Sequence, residues 1–331
     1  MREALPTVAT ATPSWQGLRV YLPALVVLIG LALVPLFAVY GAERYVLGLV
    51  TRLMILAIAA ISLHLLLGFG GLVSFGHAAF LGLGAYATGI MLTEGVAQAE
   101  IILLGVIAAS AAFALVTGAV SLRTSGVYFI MITLAFGQML YFAASSLAAY
   151  GGDDGLTLWT RPDLFGTDLL QSRQGLYYAT FAVLVLTFVA VNVTVDSRFG
   201  RVLRAAKENP TRVAAIGFDV FRYRLAAYVL AGTLCGIAGM LSALQTEFVS
   251  PAIMSWQRSG ELIVMVVLGG MASRNGALLG ALAFVLLEVW LADLTLHWKL
   301  IFGPLLVLVV LYAKGGLAAL FRPLTGEGRH G

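Results

Sequence analysis

Long apolar stretches separated by short polar connections recur along the whole chain. An α-helix needs roughly 20 residues to cross a hydrocarbon core of about 30 Å, and most of these stretches approach that length. A membrane β-barrel would instead show short strands of alternating polarity. The pattern therefore predicts an all-α integral membrane protein with about ten transmembrane helices. These helices are predicted at about 20–40, 46–68, 74–93, 100–121, 125–149, 174–195, 225–246, 259–273, 276–292 and 299–315.

The predicted helices differ in length and in glycine content. The third, at 74–93, and the neighbouring pair at 259–273 and 276–292 are short or rich in glycine, so we expect broken or re-entrant helices among them. No polar stretch is long enough to form a soluble domain. The predicted divisions are a cytoplasmic tail at 1–19, a transmembrane domain at 20–315 that includes a cytoplasmic loop at 196–224, and a second cytoplasmic tail at 316–331.

The composition agrees with a membrane protein and argues against two other classes. The chain is 60% hydrophobic and 11% charged, with a mean hydropathy of +0.96, whereas soluble domains are about half apolar and a quarter charged. The net charge of +4 does not indicate nucleic-acid binding, because Lys and Arg lie at the ends of apolar stretches rather than on one basic face. The single cysteine, Cys235, allows no intrachain disulfide.

The distribution of basic residues predicts the orientation in the membrane. Cytoplasmic loops carry an excess of Lys and Arg. The longest basic loop lies between the sixth and seventh predicted helices, and counting outward from it places both termini in the cytoplasm and the acidic 150–173 loop outside. The basic residues of the cytoplasmic loop are Arg198, Arg201, Arg204, Lys207, Arg212, Arg222 and Arg224. Those predicted on the same side elsewhere are Arg2, Arg19, Arg123, Arg274, Lys314, Arg322 and Arg329.

The segment at 197–228 contains the end signals of a short helix. Asn209 can cap free N–H groups, Pro210 fits the first helical position and Gly217 is a helix stop. A helix of about two turns is unstable alone and needs something to pack against. Such a basic element between two spans suits a docking surface that transmits motion from a partner. The alternative is a loop whose charges only set topology and contact anionic lipid headgroups.

Four polar side chains are candidates for lining a solute path. Ser74 and His77 lie in the glycine-rich stretch at 68–89, where an interrupted helix would expose backbone groups to a solute. Gln138 lies well inside the fifth predicted span, and Glu261 lies in the first turn of the eighth. For each of them the alternative is a local role in packing, in an interhelical hydrogen bond or in capping.

Catalytic and metal chemistry are not predicted. The histidines show no metal-ligand spacing, and no nucleophile and base pattern is present; they are His64, His77, His297 and His330. The chain also has no GxxxxGK[ST] phosphate loop. We therefore expect a transport subunit that binds no cofactor and is not an enzyme, with any ATP hydrolysed on separate chains.

A carrier driven by protons or sodium is the rival from another class. Coupling to an ion gradient would favour an acidic residue in mid-membrane. The nearest candidate is Glu288, which lies late in the ninth predicted span. Arg52 lies close enough to the outer end of the second span to extend its guanidinium towards the interface.

Six ordered blocks resemble those of the LivM-type permeases of branched-chain amino acid ABC importers. They are SFGHAAFLGLGAYATG, RTSGVYFIMITLAFGQM, YGGDDGL, SRFGRVLRAAKENPTRVAAIGFDV, SGELIVMVVLGGMASRNGALLGA and HWKLIFGPLLVLVVLYAKGGL. The resemblance covers nearly all of residues 44–321. One departure is GGMASRNGALLG, where Ala272, Ser273 and Ala277 replace the glycine, threonine and proline that are frequent in the family.

The resemblance implies a subunit of the bacterial inner membrane that works with several partners. These would be a homologous LivH-type permease, two cytoplasmic ATPases and a periplasmic solute-binding protein, in the lipid bilayer and without nucleic acid. The 197–224 loop matches the family stretch that contacts the ATPase. By that match the ATPase-coupling residues are Arg201, Arg204, Lys207, Glu208, Asn209, Pro210 and Arg212.

The capped helix in the basic loop motivates the hypothesis of alternating access, in which ATP binding closes the two ATPases, these pull on the helix near 210–216, and the path reopens on the opposite side of the membrane. The resemblance implies the class of cargo. Branched-chain amino acids are the expected cargo. Related permeases that look similar serve urea, short amides or aromatic acids, so these cargoes are the alternatives.

Overall fold

The computed structural model describes residues 21–38, 43–295, 297, 300–304, 307 and 315–321. Within them the chain consists mainly of α-helices joined by short turns. The helices are α1 (Leu22–Ala38), α2 (Glu43–His64), α3 (His77–Thr93), α4 (Ala99–Ser121), α5 (Val127–Ser146), α6 (Arg173–Asp196), α7 (Arg198–Glu208), α8 (Pro210–Ala215), α9 (Val220–Thr246), α10 (Trp256–Gly269) and α11 (Gly276–Leu294). The predicted tail at 1–19, most of the predicted helix at 299–315 and most of the tail at 316–331 lie outside the described residues.

The all-α, multi-pass prediction is confirmed, but the number of spans is not. In the part of the chain that the structure describes, six helices are long and apolar enough to cross a membrane: α2 with its extension, α4, α5, α6, α9 and α11. The apolar helices α1 and α3 are shorter, and α10 has only 14 residues. Helix length alone therefore does not support about ten complete crossings.

The centre of the molecule is built from α9 packed against α2, α3 and α4. Glycines bring two of these backbones into direct contact. A Cβ atom at Gly84 of α3 would collide with the carbonyl group of Gly236 in α9, and one at Gly239 would collide with the carbonyl of Leu81. Small residues favour such close helix packing within a membrane, because the gain comes from van der Waals contact.

The connection between α2 and α3 is an interrupted helix. α2 continues as a π-helix at Leu65–Phe69, the chain is irregular over 70–76, and α3 begins at His77. Gly71 has a φ of +67°, a left-handed conformation that glycine adopts without a steric penalty. The expected break in this region is confirmed, and it leaves α3 with 17 residues.

The helix ends fall into two groups on opposite faces. On the face of α7 and α8, Arg274 pairs with Asp196 at 2.7 Å, and the hydroxyl of Tyr21 donates to the same carboxylate at 3.2 Å. On the other face Arg161 pairs with Glu247 at 2.8 Å. Ion pairs therefore fasten helix ends to one another on both faces of the described chain.

The face opposite α7 and α8 carries an irregular cap. Within it β1 (Leu156–Thr157) pairs antiparallel with β2 (Phe248–Val249). A 3₁₀ turn at Pro251–Met254 follows and packs on α3, where Gly82 leaves room for the side chain of Met254. The chain therefore turns back into the helical core between α9 and α10.

Candidate functional site

The basic loop between α6 and α9, hereafter the coupling loop, folds into α7 and α8 with defined ends. The Asn209 side-chain oxygen accepts a hydrogen bond from the backbone N–H of Arg212 at 2.9 Å, and Pro210 occupies the first turn of α8. Gly217, just past α8, has a φ of +92°. The predicted helix start and stop are therefore confirmed, because both depend on local backbone chemistry.

The two helices of the coupling loop hold to the protein by a few apolar residues. α7 buries Gly200, Leu203 and Ala206, and α8 buries Val213. The predicted coupling residues that are exposed are Arg201, Lys207, Glu208, Asn209, Pro210 and Arg212, whereas Arg204 is half-buried. Two apolar side chains beside them, Ile216 and Phe218, are 68% and 40% exposed. The loop thus presents a surface that is both cationic and apolar.

Two of the predicted coupling residues, Arg204 and Lys207, form hydrogen bonds within the chain. Arg204 donates to the carbonyl oxygen of Val195 at 3.2 Å. The Lys207 ammonium donates to the carbonyl oxygen of Gly68 at 2.8 Å. Gly68 lies in the π-helical end of α2, where carbonyls lack helical partners and a cation is favoured by the helix dipole. The coupling loop is therefore attached directly to the break between α2 and α3.

The backbone at Gly68 is the junction of three segments. Besides Lys207 from α7, the loop between α10 and α11 reaches it, since the carbonyl oxygen of Met271 lies 3.0 Å from Nε2 of His64. A Cβ atom at Gly68 would collide with the His64 ring and lie 2.7 Å from the Met271 oxygen. A displacement of α7 would therefore move the backbone at Gly68 against both the His64 ring and the loop between α10 and α11.

Ser74 and His77 lie together in the core at the start of α3, with both side chains 0% exposed. The Ser62 hydroxyl donates to a carbonyl of its own helix at 2.7 Å, so it accepts a hydrogen bond from Nε2 of His77 at 2.9 Å. The Ser259 hydroxyl accepts from the backbone N–H of Ala78 at 3.0 Å. These bonds join α2, α3 and α10 at the base of α3.

The other two predicted path residues lie apart from that pair. Gln138 is half-buried on α5, and Gly137 beside it packs against Gly76, so α5 crosses the break between α2 and α3. Glu261 on α10 pairs with Arg258 at 2.6 Å. The structure therefore brings Ser74 and His77 together but does not gather all four residues around one cavity of the described chain.

A cavity of about 280 Å³, hereafter the outer cavity, opens on the face opposite the coupling loop. Its polar lining residues are Arg52, Ser242, Gln245, Thr246, Ser250 and Arg258. Arg52 also pairs with Glu288 of α11, with a nitrogen to oxygen distance of 2.9 Å. This cavity could not be predicted from the sequence, because its lining residues are distant in the chain. A charged residue inside an apolar span was the available signal.

The fold and these sites define a class of protein: a multi-pass membrane protein with a structured basic loop on one face and an open cavity on the other. Among the described residues no group of three or more His, Cys, Asp or Glu side chains is placed to hold a metal ion. Residues 45–311 match the family described as the permease component of branched-chain amino acid transport systems. The chain belongs to this family.

Individual relatives agree with the family. The chain is 27% identical to the high-affinity branched-chain amino acid permease LivM of Salmonella typhimurium in an alignment 309 positions long, which covers 86% of this chain and 72% of the relative. It is 25% identical to BraD of Pseudomonas aeruginosa, covering 82% and 91% of the two chains. It is 31% identical to the probable LivH permease of Methanocaldococcus jannaschii over 42% of this chain and 44% of that one. No solved structure matches the chain significantly.

Proposed function

We propose that this chain forms the translocation path of an ATP-driven importer for branched-chain amino acids in a bacterial inner membrane. The observation that carries the proposal is the capped, exposed α8 on a coupling loop whose Lys207 is bonded to the break between α2 and α3. Membership of the permease family supports the same function. The permeases LivM and BraD, named above, are described as branched-chain amino acid permeases, which supports this cargo over urea, short amides or aromatic acids.

The importer needs partner chains under this proposal. ATP would be hydrolysed by two cytoplasmic ATPases, a secreted binding protein would deliver the solute, and this chain would bind no cofactor. A second permease of the LivH type would complete the membrane part. Part of this chain is similar in sequence to a LivH protein, which supports the presence of two homologous permeases in one importer.

The proposed mechanism is alternating access driven through the coupling loop. Closure of the ATPases would displace α8, and α7 would move with it because the two helices are consecutive. The hydrogen bond from Lys207 to Gly68 would pass this movement to the break. The base of α3 would shift next, because Ser62 and Ser259 tie it to α2 and α10. Two distant sites are coupled when both shift the equilibrium of one element between two arrangements. The break between α2 and α3 would be that element.

An ion-coupled carrier is less well supported by the structure. Its acidic coupling residue would have to gain and lose a proton or a sodium ion within the membrane. Glu288 instead forms an ion pair with Arg52 at 2.9 Å. Both oxygens of this carboxylate lie within hydrogen-bond distance of Nη2 of Arg52, so a coupling ion would have to displace the guanidinium.

Charge reversal on the exposed surface of the coupling loop tests the proposal. Arg201→Glu together with Arg212→Glu should repel a partner that is held by cations, so that L-leucine uptake falls while the protein remains folded in the membrane. ATP hydrolysis by the purified complex should then lose its dependence on transported solute. Arg123→Glu is the matched control, because Arg123 is exposed on another predicted cytoplasmic loop. Normal uptake in the double variant would contradict the proposal.

A further inference from the structure

We propose that the outer cavity is a binding site for the transported solute and that Arg258, assisted by Arg52, holds the solute's carboxylate. The inference rests on the proposed function, since it names a subsite on the path of that importer. The ligand class is a small α-amino acid with an apolar side chain. Three features of the cavity support this assignment: its position, its unused guanidinium donors and its mixed lining.

The outer cavity leads from one face of the molecule towards its centre. Phe248, Ser250 and Ala252 line it at the end of α9 and in the following turn, whereas Leu81 lines it from α3. Leu81 is four residues from His77, about 6 Å along a helix that rises 1.5 Å per residue. The cavity therefore approaches the base of α3, which follows the break that the coupling loop contacts at Gly68 from the other face.

Two guanidinium groups in the cavity wall keep free donors. Arg52 bonds to Glu288 through Nη2 alone, at 2.9 and 3.2 Å to the two carboxylate oxygens. Arg258 bonds to Glu261 through Nη1 alone, at 2.6 Å. A guanidinium has five N–H donors, so each group retains donors that the described residues do not use. Their side chains are 41% and 33% exposed, and both line the cavity.

The remaining lining suits the other parts of an apolar amino acid. Aliphatic side chains form one part of the wall: Ile55, Leu56, Leu81 and Ile253. Ser242 and Gln245 add neutral oxygen atoms that can accept hydrogen bonds from an ammonium group. The volume of about 280 Å³ is near the lower end of ligand pockets, roughly 300–1,000 Å³, as a small solute requires.

A second cavity adjoins the first and is lined by charged residues. It has a volume of about 230 Å³ and shares Gln245 and Thr246 with the outer cavity. Arg161, Arg173 and Glu247 line it, and Glu247 forms an ion pair with Arg161 at 2.8 Å. One positive charge is left in excess in this lining, and it raises the local concentration of anionic groups, including carboxylates.

Cysteine protection tests the site in the complete importer reconstituted in proteoliposomes. Ser242→Cys places a thiol on the cavity wall, and Ser146→Cys, at the exposed outer end of α5, is the control outside both cavities. The native Cys235 is buried and contributes little background. The probe is a membrane-impermeant methanethiosulfonate, applied with L-leucine or with leucinol, which lacks the carboxylate.

L-Leucine at about ten times its dissociation constant should slow labelling of Ser242→Cys about tenfold, because the occupied fraction is protected. Leucinol at the same concentration should protect much less, and the control should be unaffected. Adding Arg258→Gln should weaken the apparent affinity for L-leucine about tenfold or more, the range for one charge-assisted hydrogen bond. Arg258 is the better choice for substitution, because its ion-pair partner Glu261 is 30% exposed, whereas removal of Arg52 would leave Glu288 unpaired at 18% exposure.

Two outcomes would overturn the inference separately from the proposed function. If the wild-type importer accumulates L-leucine while Ser242→Cys is labelled equally fast with and without it, the outer cavity is not a solute site. If leucinol protects as well as L-leucine, or Arg258→Gln changes nothing, the guanidinium does not hold the carboxylate. Failure of the wild-type complex to transport L-leucine at all would instead remove the proposed function and this inference with it.

Discussion

Lys207 belongs to a cytoplasmic loop by sequence, yet its ammonium group reaches a backbone carbonyl of another element. The contact to Gly68 joins residues 139 positions apart in the chain. Gly71 makes room for it, because a Cβ atom there would lie 2.8 Å from Cγ of Lys207. The lysine thus acts within its own chain, whereas Arg201 and Arg212 remain available to a partner.

Lys207→Gln should lower the ratio of solute imported to ATP hydrolysed. The substitution removes a charge-assisted hydrogen bond worth roughly 1.5–3 kcal/mol and loosens α7 from the break. The ratio is measured on the purified complex in proteoliposomes, with Arg198→Gln as control because that arginine is exposed on the same helix and is not among the predicted coupling residues. A wild-type ratio in Lys207→Gln, or an equal loss in Arg198→Gln, would contradict this role.

Substitution of Gly84 tests whether backbone contact between α3 and α9 stabilises the core. A methyl group at this position meets the Gly236 carbonyl, and neither backbone can move without disturbing the packing. Gly84→Ala should therefore destabilise the protein by about 1–3 kcal/mol, as overpacking does. Thermal unfolding in detergent measures the effect.

Gly48→Ala is the matched control for Gly84→Ala. It is also a helical glycine, but a Cβ atom there meets nothing within 4 Å. Its substitution should be neutral or slightly stabilising, because alanine favours the helix over glycine by up to about 1 kcal/mol. Equal melting temperatures for the two variants would contradict the packing argument.

The structural roles of residues were predictable from the sequence where they depend on local chemistry. The start of α8 at Asn209 and Pro210 and the stop at Gly217 follow from short-range backbone needs, and both are confirmed. The partners of Lys207 and Arg52 were not predicted, because each lies on a distant element. The burial of Ser74 and His77 beside Ser62 likewise depends on how three helices meet.

At the scale of elements, α8 is the part of the coupling loop most sensitive to its cap. It spans six residues and is mostly exposed, so little packing supports it. Asn209→Ala should cost about 1 kcal/mol locally. Amide hydrogen exchange at 211–216 should become faster, and uptake should fall because the partner meets a disordered surface.

Asp219→Ala is the control for the cap of α8. Asp219 caps α9 by accepting a hydrogen bond from the N–H of Arg222 at 3.2 Å. Its loss should affect the first turn of α9 and leave exchange at 211–216 unchanged. Faster exchange at 211–216 in both variants would show that α8 depends on the whole loop rather than on its own cap.

The interrupted segment between α2 and α3 shows what a sequence pattern can and cannot predict about an element. Clustered glycines indicated a broken helix near 68–89, and the break is present at 70–76. The π-helix that precedes it has no comparable sequence pattern, since its geometry follows from the contacts that α7 and the loop after α10 make with it. The position of the break was therefore predictable from the sequence, whereas the π-helical conformation before it was not.

At the scale of the whole molecule, hydrophobic pattern and charge predicted the class of fold. The predicted spans from the first to the ninth coincide with α1–α6 and α9–α11 within a few residues. The number of complete membrane crossings could not be predicted from the sequence, because α3 and α10 are too short to be counted as crossings by their length. The outer cavity could not be predicted either, since it is formed by segments from four parts of the chain.

The central claim is that this chain moves a small amino acid across the membrane at the expense of ATP on partner chains. The most direct measurement is uptake of radiolabelled L-leucine by proteoliposomes that contain the complex purified through a tag on this chain, with and without ATP on the side of the coupling loop. The account predicts accumulation with ATP and none with a non-hydrolysable analogue. Accumulation driven by a proton or sodium gradient in the absence of ATP would contradict it.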